Sequence, residues 1–197
     1  MSTNNTVPQG SLTPTSIAFV DDGIAQSEEL LKTLQTDRVF LLNDQSSGVE
    51  QITQTLAQYS DLESVHIFSH GSQGKLQLGN TILNQTNLTD YQAELESWQT
   101  AFSHHGDLLF YGCNLAAADG STFVEQISQL TQADVAASNN LTGHSSLGGD
   151  WELEVHFGHL ETAAILNNAT QATYVGLLAT ALSLPAMAVA LPVPRLT

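Results

Sequence analysis

Short apolar runs alternate along the chain with segments whose apolar residues recur at helical spacing. Each run covers four or five residues and is closed by a polar or glycine-containing turn, which is typical of a buried strand. The predicted strands cover residues 16–20, 38–42, 65–69, 108–111 and 134–137. The predicted helices cover residues 24–35, 47–59, 91–103 and 122–131. Strands that alternate with helices in this way predict an α/β fold with a parallel sheet and helices on both faces.

Two predicted hairpins interrupt this alternation. Residues 75–83 alternate between apolar and polar side chains around a central Gly-Asn turn. Residues 151–155 alternate in the same way ahead of a turn at Gly158, which predicts a second hairpin near the carboxyl end of the domain. Residues 139–150 are rich in Asn, Gly and Ser, and they predict a long loop before the second hairpin.

The same pattern divides the chain into an arm, one domain and a tail. Residues 1–15 are polar and lack the basic and apolar regions of a secretory signal, so they predict a flexible amino-terminal arm. Residues 16–176 have the length of a single α/β domain. Residues 177–197 form an apolar tail that prolines interrupt. Because its unbroken apolar stretch is marginal for a membrane span, a linker or a segment of a longer protein is favoured over an anchor.

Charge and cysteine content exclude several classes of function. The chain has 4 Lys+Arg against 20 Asp+Glu and a formal net charge of −16, so it lacks the basic surface that nucleic acid or an anionic membrane needs. The acidity fits a soluble protein that repels its neighbours, or a surface that attracts basic segments of a substrate. A single cysteine excludes an internal disulfide, and His144, His156 and His159 show no metal-binding spacing such as H-x-x-x-H. Neither a metal nor an organic cofactor is expected.

A candidate pair of reactive residues follows two of the predicted strands. His70 follows the run at residues 65–69, and Cys113 follows the run at residues 108–111 and Gly112. One hairpin and one helix fit between these strands, as a crossover to an adjacent parallel strand requires. Both side chains are then expected at one edge of the sheet, where an imidazole could activate a thiol. The alternative is that both residues are structural, with Cys113 as a small buried apolar residue and His70 as an ordinary polar residue.

The two stretches that carry this pair resemble those of caspase-like cysteine peptidases. The resemblance rests on the sequence Val-His-Ile-Phe-Ser-His-Gly at residues 65–71 and Leu-Leu-Phe-Tyr-Gly-Cys at residues 108–113. Together with a later Gly-Gly-Asp-Trp-Glu-Leu segment, they look most like an uncharacterised caspase-like domain. That domain occurs near the amino terminus of very long bacterial surface proteins with cadherin-like or haemolysin-type repeats. The resemblance covers residues 16–176.

This resemblance implies a fold, a chemistry and a setting. The fold would be a caspase-like three-layer sandwich, with a mostly parallel sheet, helices on both faces and a carboxyl-terminal β-hairpin. Cys113 would be the nucleophile and His70 the general acid/base, while the backbone N–H groups of Gly71 and Cys113 would form the oxyanion hole. The substrate would be a polypeptide, and the parent chain itself is one candidate. The protein would be extracellular or on the cell surface.

Three acidic residues are candidates for the substrate pocket. The resemblance points first to Asp22 and then to Asp21, which together would suit a basic side chain before the scissile bond (P1). Asp150 could support the site from the long loop. All three also fit ordinary turn or helix-cap chemistry. Relatives that prefer a basic P1 residue carry an acid two places before the cysteine, and this chain departs from them with Tyr111.

The leading hypothesis is therefore a cysteine endopeptidase with a His-Cys dyad. An alternative is a catalytically silent module that serves the folding, export or adhesion of a large extracellular protein. A third possibility is a cysteine hydrolase that acts on an amide or ester other than a peptide bond. The reactivity of Cys113 separates the silent module from the two enzymes.

Overall fold

A six-stranded, mostly parallel sheet forms the centre of the fold. The computed structural model describes residues 14–24, 27–162, 165–166 and 168–179. The strands are β1 (Ser16–Asp21), β2 (Arg38–Leu42), β3 (Leu62–Phe68), β4 (Gly71–Ser72), β5 (Lys75–Leu78), β6 (Thr81–Asn84), β7 (Phe102–Tyr111), β8 (Asp134–Ala137) and β9 (Val155–Phe157). The central sheet has the order β2-β1-β3-β7-β8-β9, and only β9 is antiparallel to its neighbour. Strands β4, β5 and β6 form a small antiparallel sheet beside it.

Helices cover both faces of the central sheet. They are α1 (Ser27–Thr33), α2 (Gly48–Leu56), α3 (Gln92–Trp98), α4 (Gly120–Thr131) and α5 (Asn168–Thr173). Alternate residues of each strand enter two separate cores, so β1 sends Ile17 and Phe19 to one side and Ala18 and Val20 to the other. Helices α2, α3 and α4 belong to the first core, and α1 belongs to the second. The predicted three-layer α/β fold with a mostly parallel sheet is confirmed.

Two of the predicted elements differ clearly in the structure, which also contains the unpredicted short elements β4 and α5. Strand β7 begins at Phe102, inside the helix predicted over residues 91–103, because its first residues pair with β3 across a register shift near Leu62. The hairpin predicted around Gly158 is not formed by the described residues. Strand β9 instead pairs with β8, and the N–H groups of Glu161 and Thr162 donate to the Asp107 carboxylate at 3.1 and 2.7 Å. These N–H groups are therefore not used in a second hairpin strand.

The ends of the predicted domain fall partly outside the described residues. The arm lies there up to residue 13, and the tail lies there from residue 180 onward. Leu177, Leu178 and Ala179 pack into the domain, beyond the end predicted at residue 176, and Leu178 is fully buried. None of the helices in the described ranges is both apolar and long enough to cross a bilayer.

A buried histidine in β3 should make the fold sensitive to acid. Burial lowers the pKa of His66 to about 3, so the native state keeps this side chain neutral while the unfolded chain takes up a proton below its usual pKa of 6.5. The stabilising difference is present above that usual pKa and is lost as the pH falls toward the native value. From about pH 7 to about pH 5, the free energy of unfolding should fall by about 2 kcal/mol more in the wild type than in His66→Leu.

Urea unfolding of both proteins across this pH range measures the difference. Each variant serves as its own reference, since the other titrating groups are common to both. Parallel pH curves for the two proteins would contradict the assignment of this acid sensitivity to His66.

Candidate active site

The ends of two neighbouring strands bring the predicted dyad to one edge of the sheet. Strands β3 and β7 are parallel, and their last residues, Phe68 and Tyr111, are partners in the register. The pairing continues beyond the strands, because the Ser69 N–H donates to the Tyr111 carbonyl at 3.1 Å. His70 and Cys113 therefore leave the sheet side by side, as their spacing predicts.

The backbone at these strand ends is packed so closely that it requires glycine. A Cβ at Gly71 would lie 2.7 Å from the carbonyl carbon of Gly112 and 2.9 Å from the Cys113 nitrogen. No side chain fits there unless the backbone moves. The absence of a Cβ lets the N–H groups of Gly71 and Cys113 point at a common position.

A carbonyl oxygen occupies that common position. The Gly71 N–H donates to the Leu178 oxygen at 2.9 Å, and the Cys113 N–H donates to the same oxygen at 3.1 Å. Two backbone N–H groups that converge on one carbonyl oxygen have the arrangement of an oxyanion hole. The sequence predicts the two donors but not Leu178. It contributes only a main-chain carbonyl, which every residue carries, so no sequence signal marks it.

The orientation of His70 is set by a backbone acceptor. Its Nε2 lies 3.1 Å from the Gly23 oxygen. A carbonyl oxygen can only accept, so Nε2 carries the hydrogen and, in the neutral ring, Nδ1 keeps the lone pair. Nδ1 is buried and has no hydrogen-bond partner among the described residues. The ring is thus held by one nitrogen, and the other keeps the lone pair that a general base needs.

Asp21 fixes the turn that holds His70. One oxygen of its carboxylate accepts from the Gly23 N–H at 3.0 Å, and the other accepts from the Gly79 N–H at 2.7 Å. The pKa of Asp21 is raised, with burial as the largest cause, and each of these two hydrogen bonds acts against that rise. Asp22 lies next to it with an exposed side chain. The carboxylate of Asp21 therefore ties β1 to the turn before β6, and a pocket role for either residue stays a prediction.

The thiol of Cys113 is buried and bonded to the long loop. Sγ accepts from the Thr142 N–H at 3.2 Å and lies 3.4 Å from the Thr142 oxygen, to which it can donate. The side chain is fully buried, and burial raises the pKa of the thiol to about 11. At neutral pH the group is therefore a protonated thiol. No hydrogen bond joins it to His70 in the part of the chain that the structure describes.

A comparison with protein families covers nearly all of this fold. A family model described as a domain of unknown function, DUF4347, matches residues 17–178. The chain belongs to the DUF4347 family. The matched region of this DUF4347 domain begins in β1 and ends at Leu178, so it contains both N–H donors and the carbonyl that they bind. No curated protein matches the chain.

Asp150 supports the loop that covers the thiol of the DUF4347 domain. Its carboxylate accepts from the Asn140 side chain and from the Glu152 N–H, each at 3.0 Å. Asn140 in turn accepts from the Asn114 N–H through its carbonyl at 2.6 Å. The described residues show no hydrogen bond from Asp150 to His70 or Cys113. Its contacts are to the loop itself, and a role of Asp150 in supporting the site or contacting substrate stays a prediction.

One cluster of carboxylates could hold a cation in the DUF4347 domain. Oxygen atoms of Asp107, Asp134 and Glu161 lie within 4.8 Å of one another, and no other such group occurs among the described residues. Asp107 belongs to β7 well before the strand end that carries Cys113. This cluster is thus separate from the candidate dyad.

Proposed function

We propose that this chain is a cysteine endopeptidase in which His70 and Cys113 act as the dyad. The observation that carries the proposal is the pair of N–H groups, from Gly71 and Cys113, that binds the Leu178 carbonyl oxygen. Each donor belongs to, or follows, one of the two proposed catalytic residues. A carbonyl bound there lies against the backbone of Cys113 and of the residue that follows His70, and thiol-dependent acyl transfer needs a thiol and a base beside such a carbonyl.

The residues divide the chemistry between them. The Cys113 sulfur attacks the carbonyl carbon as its proton leaves for His70 Nδ1, and the two N–H groups stabilise the oxyanion. His70 then gives the proton to the leaving amine, and a water molecule hydrolyses the thioester. The Gly23 carbonyl would stabilise the imidazolium, because it accepts from Nε2 in both states of the ring. The resemblance and the acidic charge support a polypeptide substrate in a secreted or cell-surface setting.

A second candidate function is a catalytically silent module for the folding, export or adhesion of a large extracellular protein. The observation that favours it is the state of the thiol. Cys113 is fully buried, its Sγ is bonded to the Thr142 backbone, and its pKa is raised. These are the properties of an inert structural cysteine.

Labelling of Cys113 with peptidyl acyloxymethyl ketones separates the two candidates. These probes alkylate a thiol after their carbonyl has bound, and the series should carry leucine, arginine or aspartate at P1. For the preferred probe, we expect the labelling rate of the wild type to exceed that of His70→Ala by about 10²-fold or more, since a general acid/base contributes that much. His104→Ala, which changes an exposed histidine, is the matched control and should react as the wild type does. Equal rates for wild type and His70→Ala with every probe would support the silent module.

A further inference from the structure

The last described residues run through the candidate active site as an extended segment. Leu177 pairs antiparallel with Gly143, and Ala179 pairs parallel with Gly71. The segment therefore lies between the long loop and the strand end that carries His70. Addition of an extended segment to exposed backbone in this way is a common mode of peptide recognition.

Hydrogen bonds fix the register of this segment. The Leu178 N–H donates to the Thr142 oxygen at 2.9 Å, and the Gly176 oxygen accepts from the His144 N–H at 2.9 Å. Backbone groups on both sides of Leu177 are therefore hydrogen-bonded: the Gly176 oxygen before it, and the Leu178 N–H and oxygen after it. A one-residue slip would break all these hydrogen bonds, so a single carbonyl is presented to the two donors.

The side chain that precedes the held carbonyl is apolar and buried. Leu178 is fully buried in the core that also contains Tyr111 and Cys113. An apolar environment of this kind favours an apolar residue at P1 through burial of its surface. An extended peptide with a leucine-like side chain before the held carbonyl therefore fits this arrangement.

We infer that the peptide bond between Leu178 and Ala179 is the bond that this site cleaves in its own chain. The inference rests on the proposed function and names its substrate. Ala179 pairs with Gly71, the residue that follows His70. The Ala179 nitrogen, which would leave in the reaction, is therefore on the side of the carbonyl that faces Gly71. The thiol lies on the side of Thr142, which also holds the Leu178 N–H.

The reaction balances with water as the only co-reactant. The Cys113 sulfur forms a bond to the Leu178 carbonyl carbon while the thiol proton passes to His70 Nδ1. The bond from that carbon to the Ala179 nitrogen then breaks, and the proton on His70 completes the new amine. Water hydrolyses the thioester, which leaves a carboxylate on Leu178 and restores the thiol.

Intact-mass measurement of the purified full chain during incubation tests the inference. We expect the wild type to yield fragments that consist of residues 1–178 and 179–197, at a rate that does not depend on protein concentration. Cys113→Ala should stay intact, and His70→Ala should be slower by about 10²-fold or more. Leu178→Asp should cleave at least about tenfold more slowly, because it puts a charge into the apolar core around that side chain. Val175→Asp also replaces an apolar side chain by a carboxylate, but this side chain is 62% exposed. This variant should be cleaved at the wild-type rate.

Near-ultraviolet circular dichroism of each variant checks that it is folded. A wild type that stays intact, a cut at another bond, or cleavage that persists in Cys113→Ala would each overturn the inference. If the intact wild type still shows His70-dependent labelling by the ketone probes, the peptidase proposal stands and only the substrate is wrong. If neither cleavage nor His70-dependent labelling occurs, both proposals fail.

Discussion

Replacement of Gly71 by alanine should damage both the stability and the reactivity of the protein. The new Cβ would lie 2.7 Å from the Gly112 carbonyl carbon and 2.9 Å from the Cys113 nitrogen, so the backbone must move. Overpacking of this kind costs about 1–3 kcal/mol. The same movement takes an N–H donor away from the Leu178 oxygen, and loss of one oxyanion donor typically costs about 10²- to 10³-fold in rate. Chemical unfolding and labelling by the ketone probes measure the two effects.

Gly112→Ala is the matched control for this change. A Cβ at Gly112 would meet its nearest neighbour, the Ser69 oxygen, at 3.2 Å, so a shift of a few tenths of an ångström accommodates it. Gly112→Ala should therefore lower the free energy of unfolding by clearly less than Gly71→Ala does, although Gly112 lies at the adjoining strand end. Equal losses in both variants would mean that the close approach at Gly71 is not what the fold depends on.

The reactivity of Cys113 toward iodoacetamide should rise steeply with pH over an unusually wide range. Only the thiolate reacts, and burial raises the pKa of this thiol to about 11. The rate should therefore increase about tenfold per pH unit from about pH 7 to about pH 10, roughly a thousandfold in all. Mass measurement of the alkylated chain follows the reaction, since Cys113 is the single cysteine.

The same chain unfolded in urea is the control for this measurement. There the thiol is solvated, so its rate should level off near the ordinary cysteine pKa of about 8.5. A native rate that levels off below about pH 8 would contradict the prediction, because it would reveal a thiolate already paired with a protonated His70.

The sequence was sufficient for the sheet because the strands carry a strong side-chain pattern. The strands around Phe19, Ile67 and Phe110 are buried on both faces, so each forms a continuous apolar segment in the sequence. Two such runs, each followed by a reactive residue, also predicted that His70 and Cys113 would lie at one edge. The helix predicted over residues 91–103 was too long, because local spacing could not show that Phe102 pairs with Leu62 far away in the chain.

The rest of the candidate site could not be predicted, because it is built from main-chain atoms. Gly23 binds the imidazole through its carbonyl, Thr142 binds the thiol through its backbone, and Leu178 fills the oxyanion hole with its carbonyl. These groups are the same in every residue type, so their roles leave no trace in composition or spacing. Only the tertiary fold, which brings loops distant in sequence together, reveals them.

The carbonyl of Leu178 also limits the rate at which an external peptide can bind at the two N–H donors. The amide hydrogens of Gly71 and Cys113 exchange with solvent only when their bonds to that oxygen open. Their exchange rates therefore measure how often the segment around Leu178 detaches from the two N–H groups while the sheet stays folded. Every external peptide must wait for the same opening before its carbonyl can reach the two donors. The opening rate is thus an upper limit on turnover while the segment stays in place.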